Sequence, residues 1–120
     1  LMKSLFFSIV FVLVGFLGFS QEAIIQDSEV FKKSVVDGNI SLTLPTEITN
    51  DDVQKYSKYY TSFFNTSFNE KSHQVTFSMV NNDPKSRRVI IRFLSANGIQ
   101  FARIGSNALP LSDFYDTYLK

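Results

Sequence analysis

Few side chains in this sequence are equipped for catalysis or metal binding. His73 is the only imidazole and cysteine is absent, so a zinc or copper site would have to rest on one histidine and carboxylates. A histidine-based triad would have to use that same residue, and its place in a polar hairpin turn is that of a solvated side chain. Paired carboxylates occur as Asp51–Asp52 and as Asp113 and Asp116. Both pairs fall where a helix is expected, the first in the opening turn that favours negative charge, the second on a solvated surface. Neither is set up as the acid and base of a glycosidase. Asn81-Asn82-Asp83 lacks the alternating acids and closing Glu of a calcium loop, and the glycines stand singly rather than in a phosphate-cradling run. No catalytic residue, metal site or cofactor is expected.

The residues that remain are ones that could bind. Ser41, Thr43, Asn65, Ser67, Thr76 and Ser78 all occupy the outward side of strands. They would form either an ordinary solvated sheet face or a hydrogen-bonding platform. Ile91 projects from the apolar centre of its helix beside Arg88 and Arg92, with Arg87 adjacent. An isolated exposed Ile needs no explanation, but beside arginines it could anchor an interface.

The elements that position these residues follow from periodicity. Ile40, Leu42 and Leu44 alternate with Ser41 and Thr43 and stop at Pro45, which is a half-buried strand. Thr49 or Asn50 caps a helix over Asp51–Phe63, whose apolar stripe is Val53, Tyr56, Tyr60 and Phe64. The stripe is widened by Tyr59 and Phe63. Phe64–Phe68 and Val75–Met79 alternate on either side of Glu70-Lys71-Ser72-His73, a β-hairpin. Asn82 or Asp83 before Pro84 opens a second helix with Val89, Ile90, Phe93, Leu94 and Ala96 on one side; Asn97-Gly98 ends it. Ile99–Ile104 is a fourth strand, Gly105–Pro110 a turn, and Ser112 caps a short last helix that must dock to be stable. Before Asp37-Gly38, Val30–Val36 fits either a hairpin strand or a short helix.

From Ile40 the order is βαββαβ with a C-terminal helix. That is a ferredoxin-like α+β fold: a four-stranded antiparallel sheet with two helices on one face. Asn50–Ile104 resembles a heavy-metal-associated domain in the order of its elements. The likeness extends to Gln74-Val75-Thr76-Phe77 after the hairpin turn and to the helix ending Phe93-Leu94-Ser95-Ala96-Asn97-Gly98. Such domains bind soft metals through a Cys-x-x-Cys pair before the first helix, where this chain has Pro45-Thr46-Glu47-Ile48-Thr49. The resemblance therefore implies the fold and not the metal function. The chain is also similar to short exported proteins of Bacteroidota in Gly18-Phe19-Ser20-Gln21 and in Asp113-Phe114-Tyr115.

The N-terminus reads as a secretory signal peptide over residues 1–20: Lys3, then the apolar run Leu5–Phe19, then Gly18 and Ser20 at the positions preceding a cut between Ser20 and Gln21. That run is 15 residues long, short of the roughly 20 that span a bilayer; an uncleaved anchor is the competing reading. A polar, partly flexible lead over 21–38 and one domain over 39–120 would follow. Without Lys3, eleven basic side chains stand against eleven acidic ones. A neutral chain lacks the basic surplus that nucleic-acid binding needs.

Taken together, these features describe an exported, non-catalytic binding module in the periplasm or outside the cell. Its partner would be a protein, a peptide or a glycan, and free sheet edges would permit a homodimer. A small periplasmic hydrolase built from Asp, Glu, Ser and His73 is the alternative. A metal carrier that has lost its thiols is weaker.

Overall fold

The computed structural model describes residues 22–120. The expected signal peptide lies outside the described residues. Six strands form one sheet: β1 (Glu22–Ile25), β2 (Asn39–Thr43), β3 (Phe64–Asn69), β4 (Gln74–Met79), β5 (Phe101–Ile104) and β6 (Asn107–Pro110). Their spatial order is β3-β4-β2-β1-β5-β6. Helices α1 (Ser28–Asp37), α2 (Asn50–Ser57) and α3 (Pro84–Ala96) lie between strands. The chain closes with α4 (Leu111–Phe114) and a π-helical turn, Tyr115–Leu119. The protein is thus α+β, as its periodicity predicts.

The hairpin and the strand before it form as the alternation requires. Phe64 pairs with Met79 and Asn69 with Gln74, while Ile40 pairs with Phe77 and Leu42 with Val75. Side chains alternate between faces, so Ile40, Leu42, Phe64, Val75 and Phe77 all turn inward. There Phe64, Phe77 and Phe93 meet edge to face, with ring centroids 4.9 to 6.1 Å apart. This geometry suits aromatic quadrupoles and adds to the gain from burial. Thr49 caps α2 in a capping box with Asp52, and Asp83 caps α3 ahead of Pro84.

The remaining half differs from the expectation of four antiparallel strands. Glu22–Ile25, read from its polarity as part of a loose lead, is strand β1. It inserts between β2 and β5, antiparallel to β2 through the single pair Ile24–Thr43 and parallel to β5 through four pairs from Glu22–Phe101 to Ile25–Ile104. Ala23 and Ile25 drop into the core, which accounts for its order. Val30–Val36 is helical. Asp27 caps α1 by accepting from the amides of Glu29 and Val30, and Gly38 ends it at φ 79°, a conformation that glycine adopts without strain. Gly105-Ser106 is a tight hairpin turn, and Asn107–Pro110, expected as part of the turn, is the outer strand β6.

Helix α2 stops at Ser57 rather than Phe63. The carbonyls of Tyr56, Ser57 and Tyr60 accept three-residue turn bonds from Tyr59, Tyr60 and Phe63. These turns still deliver the Tyr60 ring to within 6.5 Å of Phe93. An aromatic at every fourth position therefore fits this path as well as a helix. All helices contribute to one core on one face of the sheet, where Phe31 of α1 meets Phe114 and Tyr118.

Candidate interaction surfaces and the cleft at the split sheet

The other face of the sheet carries the polar positions singled out above. Register aligns them: Ser67, Thr76 and Ser41 form one row, Asn65 and Ser78 a second, and Asn69, Gln74 and Thr43 a third. Ser41 and Thr76 share a hydroxyl–hydroxyl hydrogen bond of 2.8 Å. Asn65, Ser67 and Ser78 are exposed, and Ser41, Thr43 and Thr76 are half-buried. On β1 and β5 its character changes. Ile24 is 40% exposed and Phe101 37%. Between them Arg103 Nε donates to the Glu22 carboxylate at 2.6 Å. These residues escaped the sequence reading because β1 was not recognised; Glu22 and Arg103 carry no local signal of being neighbours.

Beyond Ile24 the chain leaves β2 to enter α1, and the sheet splits. A cleft of about 380 Å³ opens at the split. Ile24, Ser41, Thr43 and Gln74 form its mouth on the open face, and Leu42 and Phe31 its deeper wall. β2 gives the residues on either side of Leu42 to this edge, because Leu44 N–H donates to the His73 carbonyl and Met79 N–H to the Gly38 carbonyl on the β4 side. The Ser41 backbone therefore faces the cleft. Asp27 also lines it, but its carboxylate already caps α1.

The second predicted surface is elsewhere. Helix α3 packs on the covered face, so the outer side of Arg88, Ile91 and Arg92 is separate from the open face. Arg88 and Arg92 are exposed. The Arg88 guanidinium lies 5.0 Å from the centroid of the Tyr115 ring, a cation–π contact. Ile91 is half-buried against the core rather than standing out as an anchor. Arg87, grouped with its neighbours by sequence, is buried and structural. Its Nε donates to the Leu119 carbonyl at 2.6 Å and its Nη1 to Asn82 Oδ1 at 2.8 Å. Asn82 Nδ2 in turn donates to the Val35 and Val36 carbonyls at the end of α1. This relay ties the end of α1 and the C-terminal turn to the start of α3. No spacing rule marks Arg87, because one partner is the Leu119 backbone carbonyl, distant in sequence, and the other is the side-chain amide of Asn82.

His73 sits in the hairpin turn at φ 58°, its ring perpendicular to Phe68 at 5.4 Å. With Glu70, Thr46, Thr49 and Asn50 it borders a shallow cup of about 260 Å³. No hydrogen bond joins His73 to Glu70, and Thr49 is committed to its capping box. Asp51 and Asp52 lie in the first turn of α2 as expected. At Asp83 the carboxyl is shifted downward. The Ser86 amide, 2.7 Å away, and the Ser86 hydroxyl favour its ionised form and hold it below the usual carboxylate range, with Arg87 and Lys85 adding to the effect. That is capping chemistry. Among the described residues no three His, Cys, Asp or Glu side chains gather as metal ligands, and no helix is long and apolar enough to cross a membrane. The class that fold and surface define is an α+β domain with one open sheet face. Comparison with protein-family models, with curated proteins and with solved structures found no match.

Proposed function

We propose that this protein is an exported, non-catalytic binding module on a ferredoxin-like scaffold into which β1 has been inserted. The connectivity β2-α2-β3-β4-α3-β5, with β4 between β3 and β2, supports the scaffold; β1 displaces β5 by one place. The observation that carries the binding reading is the open face, whose rows of small hydroxyl and amide side chains run into the cleft at the split sheet. Such groups hydrogen-bond a backbone or a sugar without the cost of desolvating charge. The ligand class is a peptide or a glycan.

Peptide and glycan arrays probed with the protein, and with Thr43→Arg and Gln74→Arg at the mouth of the cleft, test this. Binding of one class that both variants abolish is the expected result. Binding unaffected by either variant moves the site off the open face, and the Arg88–Arg92 side of α3 becomes the next surface to alter. Export is tested by N-terminal sequencing of protein recovered from the cell envelope or medium of a producing bacterium. A start at Gln21 is expected, and an intact N-terminus in the membrane fraction would favour the anchor.

A hydrolase would be centred on the cup that brings Glu70 and His73 together. Ester or glycoside turnover lost in His73→Ala would establish that reading in place of the first.

A further inference from the structure

The two outer strands of the sheet are defended differently. β6 is four residues long and ends on Pro110, which has no amide to offer a neighbour. β3 is six residues long, and Phe64-Asn65-Thr66-Ser67-Phe68-Asn69 contains neither a charge nor a proline. Edge strands ordinarily carry such residues, or a bulge, because an unguarded row of backbone donors and acceptors invites another strand.

The hydrogen-bond phase of β3 identifies what that edge presents. Val80 N–H donates to the Phe63 carbonyl, so the pairs that exchange bonds within the hairpin are Asn65–Ser78, Ser67–Thr76 and Asn69–Gln74. The backbone groups of Phe64, Thr66 and Phe68 consequently point away from β4. The Phe64 amide is already taken by the Tyr60 carbonyl at 3.1 Å. Thr66 and Phe68 each present a donor and an acceptor, and Phe64 adds an acceptor.

The strand also reads almost the same in both directions about Thr66: Phe, polar, Thr, polar, Phe. An antiparallel pairing of two copies around a two-fold axis at Thr66 places Thr66 opposite its own copy. Asn65 then faces Ser67 of the second copy, and Phe68 comes beside Phe64. Thr66 of each copy exchanges two bonds with the other, and each Phe68 amide donates to the opposite Phe64 carbonyl. The taken Phe64 amide is one this register does without at no loss of the other four bonds. No like charges meet, and the half-buried Phe68 gains cover.

We propose that the protein forms a two-fold homodimer through β3 in this register, joining the two sheets edge to edge. The interface lies at the far edge from β1 and leaves the open face and the cleft accessible, so it does not depend on the binding function proposed above.

Sedimentation equilibrium from low to high micromolar concentration, on processed protein from an exporting host, tests the proposal. The wild type is expected to reach twice the mass of one chain. Thr66→Pro removes an outward amide and leaves the β4 ladder intact. It is expected to weaken the dimer about tenfold or more, with an unchanged circular dichroism spectrum. Register is read separately, because the chain has no cysteine of its own. Asn65 and Ser67 of opposite copies form a non-hydrogen-bonded pair, with Cα atoms about 4.5 Å apart, within disulfide reach. Asn65→Cys mixed with Ser67→Cys is expected to cross-link under mild oxidation faster than either variant alone. A single-chain mass throughout the concentration range overturns the proposal, as does a dimer that survives Thr66→Pro in a folded protein. Equal cross-linking in the mixture and in the separate variants overturns the register. Should Thr66→Pro fail to fold, the cysteine pair decides the matter alone.

Discussion

The two halves of the sheet are built on different principles. β3, β4 and β2 are joined by unbroken antiparallel ladders, and their inner face holds the aromatic group Phe64, Phe77 and Phe93. β1, β5 and β6 are short and include β1–β5, the one parallel pairing among the described residues. They join the first half through the single pair Ile24–Thr43. What the second half lacks in ladder it recovers through side chains: the Glu22–Arg103 ion pair above the sheet and the Arg87–Asn82 relay below it. A sheet can therefore be continuous in hydrogen bonding and still consist of two parts that respond separately to perturbation.

The largest test of that contrast is Phe77→Ala. Removing a fully buried ring from the aromatic group is expected to cost about 3–5 kcal/mol and to unfold the whole molecule in one transition in urea. Arg87→Ala comes next. One of its two charged hydrogen bonds ends on the backbone carbonyl of buried Leu119, which would be left unpaired, an expected loss of about 1–3 kcal/mol. Hydrogen exchange should show that loss first in α1, β1 and the C-terminal turn, with β3 and β4 amides last to respond. Equal loss of protection in both halves would merge them into one cooperative unit.

Smaller effects sharpen the contrast. Thr49→Ala removes the capping box of α2 and is expected to cost about 1 kcal/mol, read as a lowered melting temperature. Arg103→Ala breaks a partly exposed ion pair. Its expected cost is about 0.2–1 kcal/mol, and the difference from wild type should shrink as salt rises. Asp83→Asn addresses pH alone. The folded-state carboxyl is held below its unfolded value, so its contribution is complete above the unfolded pKa and disappears as pH falls through the folded one. The stability of wild type should drop more than that of Asp83→Asn across the acid side of the carboxylate range, as followed by chemical denaturation at successive pH values.

How much of this was legible in the residues divides along the same line. β2, β3, β4 and α3 were readable because each has two unlike faces, and alternation or helical spacing records that difference. Thr49 and Asp83 were readable as caps because capping is local. β1 was not: Glu-Ala-Ile-Ile is too short to show a period, and the core that takes Ala23 and Ile25 and the strands that pair with it are built from residues remote in sequence. β6 was hidden by Pro110, which reads as a turn residue and is tolerated because the strand is an edge. The side of the sheet that Ser41, Thr43, Asn65, Ser67, Thr76 and Ser78 share follows from alternation. The cleft beside it follows from the departure of β1, so nothing in the row itself announced it. Ile91 was misplaced because a wheel drawn on α3 alone does not include the neighbours that half-bury it.

The position of β1 has a consequence in time. A chain is made from its N-terminus, yet this strand lies between β2 and β5, and β5 arrives about eighty residues later. The entropy of closing such a loop grows only as the logarithm of its length, but the partner has to exist before closure begins. Until residues 101–104 emerge, β1 has its Ile24–Thr43 pairing but lacks its parallel ladder and Arg103 beside Glu22. The sheet is therefore closed only after β2, β3 and β4 have all been made.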